Sequence, residues 1–177
     1  MKPPANQSQQ LPCAQDLYRR LLQGVSELIA DLPRQDVHLV GIHSGGAWLA
    51  QQLHQDLQLP GALGTLNVSF YRDDFDRIGL HPQVEPSAIP FEVANRHIVV
   101  VDDVLYTGRT IRAAMNELFD YGRAASIKLV VLIDRAQHEL PICADFAAWR
   151  FDAPPADNLV LARTDTGEFT LHVEPKR

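Results

Sequence analysis

The 177-residue chain reads as an α/β protein built on a mostly parallel, twisted sheet flanked by helices. Three observations predict that class. The runs Val37-His38-Leu39-Val40-Gly41-Ile42, His97-Ile98-Val99-Val100-Val101 and Ser126 to Asp134 are apolar without polar alternation, the pattern of strands buried on both faces. Segments with helical spacing of apolar residues separate them. The order strand, helix, strand therefore occurs twice, and such units form right-handed parallel crossovers.

Taken in order, residues 1–14 are Pro/Gln-rich with no apolar h-region and are expected to be a disordered leader, followed by a single domain over 15–177. Leu17, Leu21, Leu22, Val25, Leu28 and Ile29 recur at helical spacing and stop before Pro33, predicting an amphipathic helix and a turn around Pro33–Asp36. The first strand breaks at Ser44-Gly45-Gly46, and a helix is expected from Ala47 to Leu57. Gly64 to Tyr71, rich in β-branched and aromatic residues, predicts a second strand. Arg72 to Pro90 is polar and carries three prolines. It exceeds the ~12–15 residues usual for a structureless connection, so it is expected to be a functional flap or a pair of short strands, with a mobile flap the favoured reading.

The third strand carries Asp102 and Asp103 at its C-terminal end. Helical periodicity resumes at Ile111 and stops at Gly122, a C-terminal glycine stop signal. The strand Ser126 to Asp134 follows, and Asp145–Arg150, Asn158–Ala162 and Phe169–Val173 are shorter strand candidates with no helix between them.

Hydrophobic residues at 46% and charged residues at 21% are globular proportions. The net charge of −6 provides no global positive field for phosphate backbones or anionic lipid, so nucleic-acid binding would need a local basic patch. Cys13 and Cys143 form no CxxC pair, which argues against a disulfide framework or thiolate zinc site and points to a reducing cytoplasm. No apolar run approaches the roughly 20 residues of a membrane helix.

In an open α/β sheet, ligands bind outside the carboxyl ends of the strands. Three such ends carry unusual residues: Ser44-Gly45-Gly46, Asp102 to Thr110, and Asp134-Arg135. The middle one places two carboxylates before a small, hydroxyl-bearing turn that opens a helix. Amides at a helix N-terminus, with the Thr107 and Thr110 hydroxyls, suit a monophosphate. The carboxylates suit vicinal sugar hydroxyls, and a ribose 5-phosphate satisfies both ends of the loop.

The thirteen residues Ile98-Val99-Val100-Val101-Asp102-Asp103-Val104-Leu105-Tyr106-Thr107-Gly108-Arg109-Thr110 resemble the phosphoribosyl pyrophosphate (PRPP) motif of type I phosphoribosyltransferases. The variant Val-Leu-Tyr-Thr-Gly-Arg-Thr resembles the PyrR proteins, pyrimidine operon attenuators that are also uracil phosphoribosyltransferases. Tyr71-Arg72-Asp73-Asp74, Asp134-Arg135, Glu139-Leu140-Pro141-Ile142 and Ala144-Asp145 extend the likeness, which covers residues 15 to 174.

The resemblance implies a type I phosphoribosyltransferase fold with a small hood and a flap. It further implies that Asp102 and Asp103 bind the ribose hydroxyls of PRPP, while Val104, Leu105, Tyr106, Thr107, Gly108, Arg109 and Thr110 complete the loop around the 5-phosphate. Ser44, Gly45 and Gly46 would be the pyrophosphate loop and Arg72 a pyrophosphate contact. Ile133, Asp134 and Arg135 would lie beside the base, and His138 would be an RNA or base contact. The implied chemistry is uracil + PRPP to UMP + pyrophosphate with Mg²⁺ held through substrate oxygens and water, in a homodimer or homotetramer. UMP or UTP and pyrimidine leader RNA are the implied regulatory partners.

Two departures stand out. The family usually has Thr-Arg-Gly where this chain has Ser44-Gly45-Gly46, and a lost Arg–phosphate contact costs about 1.5–3 kcal/mol, so weak catalysis is one expectation. The stretch Ala136 to Cys143 lacks the family's usual basic residues, which lowers the expectation of RNA binding. A regulator that keeps the PRPP/UMP pocket without the chemistry is the alternative reading. Tyr106 stands where purine-specific relatives usually carry an acid, which favours a pyrimidine. His38 and His97, within or at the start of strands, and Trp48 and Trp149 are expected to be structural. His43 adjoins the pyrophosphate loop and is a further candidate. Gly41 to Gly46 fits neither a P-loop nor GxGxxG, which argues against ATP and NAD.

Overall fold

A computed structural model describes residues 11–68, 85–150 and 158–174. The expected flap residues Arg72 to Asp76 lie outside them, as do most of the predicted leader and the end of the strand expected over Gly64 to Tyr71.

The elements run in the order α1 (Ala14–Leu28), β1 (Val37–Ile42), α2 (Gly45–Asp56), β2 (Gly64–Leu66), β3 (His97–Leu105), α3 (Arg109–Tyr121), β4 (Ser126–Asp134), β5 (Phe146–Arg150), β6 (Asn158–Arg163) and β7 (Phe169–Glu174). Strands β2-β1-β3-β4-β5 form one sheet in that spatial order, and every pairing is parallel. The antiparallel pair β6-β7 forms a separate small sheet.

Alternation along the buried strands divides the core into two layers. Leu39, Val99, Val101, Val130 and Leu132 face α1, α2 and the β6-β7 pair, with Tyr18 of α1 tilted against Phe169 of β7 at 5.5 Å. Val40, Val100 and Val131 face the opposite way onto Ile111, Ala114 and Leu118 of α3. Neither face of the sheet is wet, which is why these strands read as unbroken apolar runs.

β2 stops at Leu66, so Asn67 and Val68 fall outside the strand expected over Gly64 to Tyr71, and two further boundaries differ at the carboxyl ends of β1 and β3. β3 continues past Val101 to Leu105, because Asp102, Val104 and Leu105 keep their pairing with Val131, Ile133 and Asp134 of β4. Helix α2 begins at Gly45 rather than Ala47. Glycine disfavours helix interiors, so the pair reads as loop from sequence, yet the helix here presses its first turn against β3 where a side chain has no room. Gly122 closes α3 with φ of 140°, a backbone conformation that side-chain-bearing residues rarely adopt.

The expected structural roles of several residues are met. His38 is buried, with Nδ1 3.1 Å from the Ala62 carbonyl oxygen and its ring stacked on Phe91. His97 Nδ1 meets the Ser126 hydroxyl at 2.8 Å. Trp48 and Trp149 pack against the core on the α1 side. Among the described residues, no helix is long and apolar enough to cross a membrane.

Candidate active site

The strand order puts β1 beside β3, while the helices that follow them, α2 and α3, pack on opposite faces of the sheet. Connections leaving neighbouring strands in opposite directions open a crevice at their carboxyl ends. Two of the three unusual segments, Ser44–Gly46 and Asp102–Thr110, border that crevice, and the N-termini of α2 and α3 converge on it. Both helices therefore direct the positive ends of their dipoles to the same place.

On the β1 side, the His43 amide donates to the Leu66 carbonyl at 2.9 Å, and the His43–Ser44 peptide is cis. A Cβ added at Gly46 would lie 2.9 Å from Asp102 Cα and closer still to the Val101 carbonyl oxygen. At Gly45 the obstacle is a side chain: a Cβ there would come within 2.7 Å of Asp103 Cγ, with Oδ2 nearer yet. The two glycines thus bring the N-terminus of α2 onto the acidic end of β3.

On the β3 side, Asp102 is buried, and its Oδ1 accepts the Asp103 amide at 2.9 Å. Asp103 Oδ1 accepts the Val104 amide at the same distance. Each carboxylate is held by a backbone donor on one oxygen, which fixes its orientation. Thr107 is buried, and its hydroxyl accepts the Arg109 amide at 3.3 Å. Gly108 has φ of 93° at the N-cap of α3, and its carbonyl accepts the Arg112 amide at 2.9 Å. A left-handed residue there turns the chain straight from strand into helix, and glycine adopts it without steric cost.

The third segment lies against the second. The Arg135 amide donates to the Leu105 carbonyl at 2.9 Å, and the Glu139 and Leu140 amides both donate to the Thr107 carbonyl, at 3.0 and 3.2 Å. The Arg135 guanidinium sits 4.2 Å from the centre of the Tyr106 ring. Burial lowers the pKa of this guanidinium and Tyr106 partly offsets the shift, leaving a cation inside the protein wall. Asp134 is buried, and its Oδ1 accepts the Ala136 amide at 2.9 Å and meets His138 Nε2 at 2.8 Å. Its Oδ2 lies 3.4 Å from Arg150 Nε at the end of β5. Ile133 is wholly buried in the core, backbone included, and presents no surface at this strand end.

Sequence reasoning grouped the three strand ends but missed two partners that reach them from elsewhere. Glu139 pairs with Arg109 at 2.7 Å across the loops, and Arg150 approaches Asp134. His43 Nε2 lies 3.7 Å from Glu85, whose backbone carbonyl accepts the Asn67 side-chain amide at 2.6 Å. Asn67 and Glu85 thus bring the two ends of the intervening segment together. The candidate Arg72 lies outside the described residues. Among those described, no three His, Cys, Asp or Glu side chains cluster around a common metal position.

A family model described as the phosphoribosyl transferase domain matches residues 9–154. The chain is 48% identical over 162 residues to the "Bifunctional protein PyrR" of Nitrosococcus oceani, covering 90% of this chain and 92% of that protein. It is 46% identical to the protein of the same name from Ralstonia nicotianae, covering 96% and 98%. The chain belongs to the PyrR family. That membership makes it a phosphoribosyltransferase-domain protein.

Solved structures agree on the fold. A hypoxanthine phosphoribosyltransferase from Staphylococcus aureus superposes with a TM-score of 0.65 at 19% identity, covering 86% of this chain and 81% of that one. An HGPRT-ase from Leishmania tarentolae in complex with GMP gives 0.62 at 18%, covering 84% and 83%. At such identities the likeness is one of architecture, so base choice in this PyrR chain has to be argued from its own residues.

Proposed function

We propose that this PyrR chain transfers the 5-phosphoribosyl group of PRPP to uracil, forming UMP and pyrophosphate, and that it couples UMP or UTP binding to control of pyrimidine genes. The observation that carries the reading is the meeting of two carboxylates and two helix N-termini at one crevice. Asp102 and Asp103 supply acceptors for vicinal hydroxyls. Thr107, Gly108, Arg109 and Thr110 supply amides, hydroxyls and a cation for a phosphate.

In this reaction the anomeric carbon loses its bond to pyrophosphate and gains one to N1 of uracil, whose proton passes to solvent or to the departing group. Negative charge grows on the leaving group, so donors fixed in advance beside it lower the barrier most. The N-terminus of α2 at Ser44, Gly45 and Gly46 is such a donor set. Asp102 and Asp103, held by backbone amides, fix the ribose and favour positive charge developing on it. Val104 and Leu105 carry the loop between these groups, and Tyr106 with Arg135 forms a wall on the base side.

The donor set also fits Mg²⁺. Asp103 directs Oδ2 toward Gly45, on the loop assigned to pyrophosphate, and carboxylate oxygens suit a hard cation that keeps most of its water and substrate oxygens. Such a cation neutralises leaving-group charge when bound.

The test is UMP formation from labelled uracil and PRPP with Mg²⁺, beside orotate, hypoxanthine and guanine, with Asp103→Asn as the blank. Uracil-selective turnover abolished by that substitution supports the reading, and no turnover with any base overturns it. Gly45, which brings no cation to the pyrophosphate loop, favours a second reading in which the chain senses UMP and does little chemistry. UMP-dependent retention of pyrimidine leader RNA in a gel shift, without turnover, would select it. Cytoplasmic placement and assembly into a homodimer or homotetramer complete the proposal, and sedimentation of the purified protein tests the assembly.

A further inference from the structure

We infer that His138 is a specificity-determining contact for the base, presenting a fixed hydrogen-bond acceptor to the imide N3–H of a uracil ring and thereby rejecting cytosine. The inference rests on the uracil reading above and assigns a residue to it. His138 belongs to the segment that begins at the carboxyl end of β4 and runs alongside the PRPP motif: Arg135 is bonded to Leu105, and Glu139, the next residue after His138, is bonded to Thr107. The imidazole is held at the end of β4 by its bond to Asp134, in a segment fastened to the PRPP motif on either side of it. Its side chain is 22% exposed, so part of the ring reaches the surface.

The chemistry follows from its partner. Asp134 is buried, its Oδ1 already accepts the Ala136 amide, and Arg150 approaches Oδ2, so Oδ1 faces His138 as an acceptor. The 2.8 Å bond between Asp134 Oδ1 and His138 Nε2 therefore requires the proton on Nε2. In the neutral ring this leaves Nδ1 as a lone-pair acceptor. Uracil N3 carries a hydrogen and matches it, whereas cytosine N3 carries a lone pair and opposes it. A buried or half-buried mismatch of two acceptors is the kind of discrimination that polar sites achieve and apolar pockets do not.

The test measures binding of UMP, CMP and ribose 5-phosphate to the full chain by calorimetry, a readout independent of turnover. Wild type is expected to bind UMP at least tenfold more tightly than CMP. His138→Phe should bring the two nucleotides within threefold of each other while leaving ribose 5-phosphate unchanged, and His138→Gln, whose amide oxygen can accept, should restore part of the preference. Asp134→Asn, which frees the ring to take its other tautomer, should also reduce it. A wild type that does not distinguish UMP from CMP, or a His138→Phe variant that still does, overturns the assignment. So does loss of leader-RNA binding with the UMP preference intact, which would make His138 an RNA contact. Failure of the uracil reading would instead appear as absent turnover with every base, whatever the nucleotide preference.

Discussion

Asp103 occupies the space that a side chain at Gly45 would need, so the acidic end of β3 and the first turn of α2 compete for one volume. A larger residue at position 45 must displace a carboxylate assigned to the ribose. The absent arginine is therefore more than a lost cation, because Asp103 fills the room its stem would take.

Gly45→Ala should accordingly fold, since the atoms it meets belong to a short side chain that can rotate away. PRPP binding should weaken about tenfold as Asp103 is pushed from its place. In an Asp103→Ala background the same substitution should cost little, giving a coupling within the ~0.5–3 kcal/mol range of residues in contact. Titration calorimetry with PRPP on the four proteins of the cycle checks this, and additive losses would show that the two positions act separately.

Gly46→Ala should behave differently, because there the obstruction is the backbone of Val101 and Asp102 rather than a side chain. Overpacking against main chain costs about 1–3 kcal/mol, or more where nothing can yield. The variant should lose several degrees of Tm even without ligand, whereas Gly45→Ala should stay near wild type. Thermal melts of the two proteins side by side make the comparison.

Tyr106 supports a buried guanidinium, and removing its ring leaves that cation over a void. Tyr106→Ala should destabilise the protein by about 2 kcal/mol, the upper part of the range for desolvated cation–π pairs. It should raise KM for uracil more than KM for PRPP, because the phosphate loop beyond Thr107 keeps its own hydrogen bonds. Tyr106→Phe retains the ring face and should remain within about 0.5 kcal/mol of wild type, near the low end of that range. Denaturant unfolding together with steady-state kinetics separates the two effects.

Much of this architecture is legible in the sequence because burial on both faces leaves an unmistakable mark. The runs ending at Ile42, Val101 and Asp134 contain almost nothing polar, and the structure places all three at the centre of the sheet. The PRPP motif is legible for a related reason: acids, a hydroxyl-bearing turn and a helix start are consecutive. What escapes is whatever depends on residues far apart in the chain. Arg150 reaches Asp134 only because β5 lies beside β4, and Glu139 reaches Arg109 only because the two loops fold together. The early start of α2 escapes for another reason. Gly45 and Gly46 have poor helix propensity, and only the close approach of β3 explains why small residues are needed there.

Tyr18 offers a test of stability away from the site. Its hydroxyl donates to Asp56 Oδ2 at 2.6 Å, tying α1 to the end of α2. Burial raises the phenol pKa, and the hydrogen bond and charge of Asp56 raise it further. In the unfolded chain a tyrosine ionises near its ordinary value of roughly 10. Above that pH the unfolded state releases a proton that the folded state retains, so the folded state binds more protons and stability falls as pH rises. Below it both states are protonated and this residue contributes no slope. Tyr18→Phe removes the titrating group and should cost about 1 kcal/mol at neutral pH through the lost hydrogen bond. As pH is raised from 9 to 11, however, the stability gap between wild type and Tyr18→Phe should narrow, because only the wild type loses this contribution. Urea unfolding of both proteins at pH 7, 9, 10 and 11 measures the gap directly, and subtracting one from the other removes the titration of the remaining tyrosines. A gap that stays constant across that range would mean that Tyr18 ionises alike in the folded and unfolded chains, and that its bond to Asp56 does not hold the proton in place.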